Sequence, residues 1–562
     1  MASTPTPTPS TPITERLVGA TERPNGRATF ISGGDAVSIP WRQLHDEARA
    51  VGASLQALGI EPGDHVAILG PTSRGLVTAI QGCWLAGAAS MVLPLPMRMG
   101  SLEEFVSGTR NRIRHGDAKL LLIDDALASF YEPIPGDPPT LPLAAVLPGG
   151  DGPSAEALVI PAPDAERLVI LQYTSGSTSE PKGVMIPDRV LGANLSAIAQ
   201  AAELDPDVDV LVTWLPLYHD MGLVGCMTLP MTTGCDLVLA APQDFLAKPG
   251  HWMQWISDYR GTATAGPNFA WVLAARALRR MKDLDLSSMR VALNGAEPID
   301  PDAVEAFVTE ASRFGFRPGA VFCAFGMAEV AIGGTFPPPM RGMLTDAVDR
   351  VALEEKGEAI PAPVESATTR RLPLLGRPVP GLEIKVIDPA TGEELADREV
   401  GELLIRGTSV TPGYYKRPDA TAELFRDGWL CTGDLAYLLD GELVLCGRIK
   451  DVIIVGGRNV FPEDIERAVG DVEGVRKGNV IAFGVEGYKL KETVVVVAET
   501  KVPAEQREAL RYAIHHRTLQ VSGLPPRDVM LVQPGSLPKT SSGKLQRSLC
   551  KQQYLEEHLQ LV

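Results

Sequence analysis

A long alternation between two hydrophobic periodicities constrains this chain more than any other feature. From Ile13 to about Gly447, short apolar runs such as "HVAILG", "SMVLPL", "LVLA" and "TATAG" take turns with helix-patterned stretches such as "GLVTAIQGCWLAGA" and "HWMQWISDY". Such alternation predicts parallel sheets covered by helices, because each strand has to return across its sheet through a crossover. Near Val379 the texture changes to "GLEIKVID", "GELLIRG" and "GELVLCG", short alternating strands that predict a small β-rich subdomain. After "GRIKD" a fresh compact set begins, with "VIIVGG", "FPEDIERAV", "GNVIAFGV", "TVVVVAET" and the helical "AEQREALRYAIHHRT". The expected architecture is α/β: a large N-terminal domain over residues 13–447, a hinge at 448–451, and a small α+β C-terminal domain over 452–562, within the usual domain size.

Composition agrees with that plan. At 562 residues the chain is too long for one ordinary core, and 45% hydrophobic with 22% charged residues is the balance of a globular protein. Its 52 basic and 69 acidic residues leave a formal charge of −17, which argues against a general nucleic-acid or membrane-surface binder. The seven cysteines are scattered without a C-x-x-C pair, so buried free thiols in a reducing compartment are expected. Residues 1–12, "MASTPTPTPSTP", read as a disordered leader with neither the basic region nor the apolar core of a signal peptide. No apolar run approaches the ~20 residues of a transmembrane helix, so a cytoplasmic location is the expectation.

Chemistry enters with "YTSGSTSEPKG", Tyr173 to Gly183, where glycines and hydroxyls beside one lysine suit an anion-binding nest. It is not a Walker A loop: the hydroxyls of Thr174, Ser175, Ser177 and Thr178 precede Lys182, whereas that motif places its hydroxyl after the lysine. A polar surface turn would have the same composition. The strand-like "RLVILQ" before the loop and the helix-like "RVLGANLSAIAQAA" after it favour phosphate binding.

Six further segments follow in order: "NGAEP" from Asn294, "FGMAE" from Phe325, "CTGDL" from Cys431, "GRIKD" from Gly447, "GGRNVFPEDIE" from Gly456 and "PKTSSGKLQR" from Pro538. Together with the glycine-hydroxyl loop they resemble the AMP-forming adenylating enzymes, the superfamily of acyl-CoA synthetases, luciferases and peptide-synthetase adenylation domains. The chemistry implied is attack of a carboxylate on the ATP α-phosphate with loss of pyrophosphate, which needs cations to offset like charges.

The resemblance implies roles for particular residues. Thr174, Ser175, Gly176, Ser177, Thr178 and Lys182 would hold the β- and γ-phosphates, with Glu329 and Thr178 on Mg²⁺. Gly295, Ala296 and Glu297, with Phe325, Gly326 and Met327, would line the nucleotide, and Asp434 beside Arg448 would bind the ribose. Lys544 would reach the carboxylate and the α-phosphate, Lys450 would be the hinge of a mobile C-terminal domain, and Gly456 and Gly457 would leave room for the acceptor's pantetheine arm.

Within that superfamily the sequence is most similar to the fatty acyl-AMP ligases, which pass an activated fatty acid to an acyl carrier protein. "TWLPLYHDMGLVG" resembles that branch's signature and would put His219 near the bound carboxylate. Ser179 stands where acyl-CoA synthetases tend to carry glycine. Residues 333–378 resemble the insertion that, in this branch, packs on the C-terminal domain and hinders the rotated, CoA-using orientation; a variable surface loop is the bland alternative. Phe461 departs from the tyrosine often found in the branch. The patch Lys539, Lys544, Arg547 and Lys551 is expected to help dock an acidic carrier. A fatty acyl-CoA synthetase is the alternative reading. A silent binding module is disfavoured because Lys544, Glu329 and Asp434 are present. An amino-acid adenylation domain is disfavoured because "AGPNFAWVLAARAL" has no aspartate for an α-amine.

Overall fold

The computed structural model describes residues 11–96, 102–149, 152–174, 182–366, 368–455, 458–486, 492–540 and 543–562. Most of the expected leader therefore lies outside the described residues, and the first described element is the helix Ile13–Thr21.

Two sheets form the large N-terminal domain. The first has the strand order Val321–Cys323, Val291–Asn294, Ala263–Gly266, Val210–Thr213, Asp236–Ala240, Arg27–Ser32 and Asp35–Pro40. Its pairs are parallel except the last, an antiparallel hairpin turned by Gly33 and Gly34 at positive φ. The second runs Thr140–Pro142, Ala118–Ile123, His65–Leu69, Ala89–Val92, Leu168–Tyr173 and Gly183–Pro187, again parallel up to an antiparallel final pair. Helices such as Arg74–Leu85 and Asp188–Ala201 cover them, and one apolar core runs through both sheets. The phosphate-type loop departs from its expected setting, since another strand, Gly183–Pro187, precedes the helix. The loop thus joins two antiparallel strands, because "GVMIP" has enough apolar side chains to pair back on Leu168–Tyr173.

The β-rich subdomain is an antiparallel sheet of Leu382–Ile387, Gly401–Gly407, Phe425–Arg426, Trp429–Leu439 and Glu442–Arg448. In the C-terminal domain, Val475–Glu486, Glu492–Thr500 and Asp528–Val532 form a sheet buried on both faces. Its "TVVVVAET" run is continuous for that reason: Val494 and Val496 pack with Ile465 and Ile514 on one side, Val495 and Val497 with Phe483 and Cys550 on the other. Among the described residues no helix is long and apolar enough to cross a membrane.

Residues 333–378 are a built element. Strand Thr345–Asp349 pairs with Thr369–Pro373, and helix Arg350–Lys356 lies between them in sequence. Val348, Leu353 and Leu372 share a core with Tyr437 and Val444 of the β-subdomain and Phe461 of the C-terminal domain.

Candidate active site

Four parallel strands of the first sheet end at one place. Beyond Thr213, Gly266, Asn294 and Cys323 the chain runs directly into "WLPLYHD", "PNF", "GAEP" and "AFGMAE", so four of the sequence motifs converge at the carboxyl edge of the sheet, where open α/β sheets bind ligands. A cleft of about 2030 Å³ opens there and is closed on its far side by the β-subdomain and the C-terminal domain.

Ser175, Gly176, Ser177 and Thr178 lie outside the described residues, as do Gly456 and Gly457. The neck of the phosphate-type loop is described: Thr174 N–H donates to the Lys182 carbonyl at 3.1 Å. The Lys182 ammonium stands 5.1 Å over the ring of Tyr414, and the Tyr414 hydroxyl donates to Glu329 Oε1 at 2.7 Å. Backbone bonds lace these parts together, from Tyr415 N–H to the Gly183 carbonyl at 2.8 Å and from Thr411 N–H to the Glu329 carbonyl at 2.8 Å. Tyr414 joins the cation of the loop to the carboxylate of "FGMAE", and the sequence reading missed it. Its only signal is "TPGYY", a glycine-turned pair of aromatics.

Glu329 is 8% exposed, and burial pushes its carboxyl pKa up against the pull of Tyr414 and Arg448. A desolvated oxygen donor of this kind suits Mg²⁺. No group of three or more His, Cys, Asp or Glu side chains among the described residues could hold a metal by itself. The donor set therefore fits an ion shared between one carboxylate and substrate phosphates, the usual habit of Mg²⁺.

On the nucleotide side, Asp434 and Arg448 face each other across neighbouring strands, with Arg448 Nε donating to Asp434 Oδ1 at 2.9 Å. Burial raises the Asp434 carboxyl pKa and Arg448 opposes it. A side chain at Gly326 would meet the Ile332 carbonyl at 1.9 Å, and one at Gly295 the Ala324 carbonyl at 2.9 Å, so the backbone there stays bare. Ala296 holds φ at +69°, a left-handed turn that exposes the cleft wall. Phe325 and Met327 border the same cleft. Glu297 lines the cleft as well, and its carboxylate accepts the Phe269 N–H at 2.7 Å, at the start of helix Asn268–Leu278.

Lys544 arrives on a tight turn of the C-terminal domain, where Thr540 N–H donates to the Lys544 carbonyl at 2.8 Å and Gly543 takes φ of +90°. Burial lowers the pKa of its ammonium, while Asp220, Glu297 and Asp434 act to keep it charged. Lys450 lies exposed in the single turn Ile449–Asp451 that links the β-subdomain to the C-terminal domain.

Of the expected basic docking patch, Arg547 is corrected. Arg547 donates to both Glu466 oxygens at 2.8 and 2.7 Å and pairs with Asp451 and Glu463 at 3.0 Å each. Lys539 Nζ donates to Asn479 at 2.9 Å, and Lys544 points into the cleft. Three carboxylates surround the guanidinium, so Arg547 is not a free surface charge.

Two contacts tie residues 333–378 to the C-terminal domain. Arg370, 5% exposed, pairs with Asp464 at 3.1 Å, lies 4.4 Å over the Phe461 ring and donates to the Cys446 carbonyl at 2.7 Å. Arg458 Nε donates to buried Glu354 at 2.6 Å. Phe461 thus serves as the face under a guanidinium, a use that asks nothing of a tyrosine hydroxyl.

His219 lines the cleft, as do the apolar side chains of Trp214, Cys226, Leu229, Phe269 and Phe336. Trp214 stacks on Phe245 with centroids 3.7 Å apart, stiffening one wall.

Motifs gathered at one cleft, a buried carboxylate bonded to a tyrosine, an Asp–Arg pair on neighbouring strands and a lysine brought in from the C-terminal domain match the plan of an adenylate-forming, two-domain enzyme. The AMP-binding enzyme family matches residues 18–415, and the AMP domain of the Disco-interacting protein 2-like family matches residues 450–562. The chain belongs to the AMP-binding enzymes and, among them, to the fatty acyl-AMP ligase branch. It is 32% identical to the long-chain-fatty-acid–AMP ligase FadD26 of Mycobacterium marinum, over 97% of this chain and 98% of that one. It is 32% identical to the medium-chain-fatty-acid–[acyl-carrier-protein] ligase JamA of Moorena producens, over 94% and 92%. A solved structure from work on the fatty acyl-adenylate ligases of E. coli and L. pneumophila superposes with a TM-score of 0.90 at 31% identity, over 98% of both chains.

Proposed function

We propose that this ligase condenses a fatty acid with ATP to give acyl-AMP and pyrophosphate, then passes the acyl group to the phosphopantetheine thiol of an acyl carrier protein. One observation carries the reading: Lys544 is delivered from the C-terminal domain to a point facing Asp220, Glu297 and Asp434, in a cleft that apolar side chains also line. An acyl chain would lie against the apolar lining of the cleft, with its carboxylate next to His219 and the lysine. The names of the two relatives, one acting on long-chain and one on medium-chain fatty acids, support this substrate class.

In this reading the loop from Thr174 to Lys182 gathers the β- and γ-phosphates, and Asp434 with Arg448 takes the ribose. The bare backbone around Gly295, Ala296 and Gly326 admits the adenine. Glu329, oriented by Tyr414, would hold Mg²⁺, with Thr178 as its second protein ligand. The ion, when bound, supplies charge neutralisation on the phosphates. Lys544 neutralises the approaching carboxylate and α-phosphate, whose mutual repulsion is the main obstacle to bond formation. Lys450 serves as the hinge and Gly456 and Gly457 as the acceptor loop. The pairs Arg370–Asp464 and Arg458–Glu354 favour a carrier as acceptor, because they hold the C-terminal domain in the orientation that puts Lys544 in the cleft.

The test gives the enzyme ATP, Mg²⁺ and a panel of acids from octanoate to palmitate, with CoA in one arm and a pantetheinylated carrier protein in the other. Acyl-AMP and acyl-carrier without acyl-CoA is the expected product pattern. Rapid acyl-CoA formation would return the enzyme to the acyl-CoA synthetases.

A further inference from the structure

Adenylation as described needs His219 only as a neighbour of the carboxylate and makes no use of Asp220. Yet His219 Nδ1 lies 2.6 Å from Asp220 Oδ1, and the two side chains are only 16% and 13% exposed. The backbone fixes this geometry. His219 N–H donates to the Pro216 carbonyl at 3.2 Å, and Asp220 Oδ1 accepts the Met221 N–H at 2.8 Å, capping the helical turn Met221–Thr228. Gly222 has to be glycine, since a Cβ would stand 2.3 Å from the Pro216 carbonyl.

The charges around the pair come from several elements. Burial acts to raise the Asp220 carboxyl pKa, and His219, Lys544 and the Met221 N–H outweigh it, so the carboxylate is held below its usual range. Lys544 approaches from the C-terminal domain, and Glu329 bears on Asp220 from "FGMAE". A histidine that gives its Nδ1–H to a buried carboxylate keeps its lone pair on Nε2, where it can accept a proton.

Thioester formation needs such a base, because a thiol with an ordinary pKa of about 8.5 is mostly protonated at neutral pH. We propose that His219, oriented by Asp220, is the general base for acyl transfer to the pantetheine thiol. The thiol proton passes to His219 Nε2 as sulfur bonds to the acyl carbonyl carbon. The bond from that carbon to the AMP phosphate oxygen breaks, and its electron pair leaves with AMP. Asp220 is a positioning residue that sets the tautomer and stabilises the imidazolium. This role rests on the acceptor being a thiol, as proposed above.

The experiment isolates transfer from adenylation. Purified enzyme carrying pre-formed acyl-AMP is mixed with pantetheine in a single turnover, and thioester is quantified between pH ~6 and ~10, a range that spans the thiol's own ionisation. His219→Gln is expected to slow transfer about 100-fold near neutrality, with the deficit shrinking to a few-fold above pH ~8.5, where the thiol ionises unaided. Asp220→Asn keeps the Met221 cap, so the turn survives, and it moves the rise of the pH profile to lower pH with a lower plateau. A His219→Gln deficit that is constant with pH, or an Asp220→Asn profile superimposable on that of the unsubstituted enzyme, would overturn the assignment. If the unsubstituted enzyme forms acyl-AMP yet acylates no thiol, the acceptor reading itself fails and the base falls with it.

Discussion

Lys182 stands on the neck of a hairpin inside the large domain, its ammonium resting over the cleft-lining Tyr414 and its backbone tied to Thr174. Lys544 reaches the same cleft on a turn of the small domain, which the triply bonded Arg547 anchors to Asp451 at the linker and to Glu463 and Glu466 on the helix Pro462–Gly470. The first cation is part of a fixed phosphate grip. The second is part of a body that meets the first domain through separate, breakable contacts. On the proposed function, the difference teaches that binding and chemistry are assigned to different domains, so that moving one need not dismantle the other.

The largest expected effect separates the two lysines. Two unit charges ~4 Å apart interact by roughly 4 kcal/mol at an effective dielectric of 20, so Lys544→Ala should slow pyrophosphate release by about three orders of magnitude at saturating ATP, with ATP binding largely retained. Lys182→Ala should instead act mainly on the KM for ATP. Initial-rate kinetics of both variants check this, and a loss in the same parameter for both would erase the distinction.

Arg547→Met tests the anchor. It leaves Asp451, Glu463 and Glu466 without their shared cation, a loss of about 3 kcal/mol for a broken enclosed ion pair. Denaturant unfolding should show an early transition of the C-terminal domain, with the large domain unchanged. Tyr414→Phe tests the fixed grip: losing a hydrogen bond to a carboxylate, about 1.5 kcal/mol, should raise the KM for ATP roughly tenfold. Calorimetric titration of ATP and Mg²⁺ should show the same weakening.

The smallest effect concerns pH. Burial lowers the pKa of Lys544, so its charge is lost as pH rises through a value below the ordinary lysine range. Adenylation should therefore fall on the alkaline side earlier than a free lysine would dictate. Lys544→Arg, whose guanidinium stays charged, should move that limb to higher pH whatever it does to the maximum rate. An unmoved limb would place the titration on another group.

Much of the fold was legible because periodicity is local. "HVAILG" and "TATAG" became His65–Leu69 and Ala263–Gly266, and the change of texture near Val379 became the antiparallel sheet. The strand Gly183–Pro187 was overlooked because five residues beside a glycine-rich loop are too few for a periodic signal. Motif residues such as Glu329 and Asp434 could be nominated from their order along the chain. Tyr414 could not, since its value comes from Lys182 and Glu329, which are remote in sequence. Arg547 was misread as part of a basic surface for the same reason: Asp451, Glu463 and Glu466 lie 81 or more residues away and converge on it only after folding. The departure at Phe461 likewise acquired a meaning only when Arg370 was seen above its ring.

The most direct test of the central claim is ATP–pyrophosphate exchange measured with octanoate through palmitate and, in parallel, with a set of amino acids. Exchange that depends on a fatty acid and disappears in Lys544→Ala is the result expected of a carboxylate-activating enzyme with this cleft and this lysine. Exchange driven only by amino acids, or fatty-acid-dependent exchange that persists undiminished in Lys544→Ala, would contradict it.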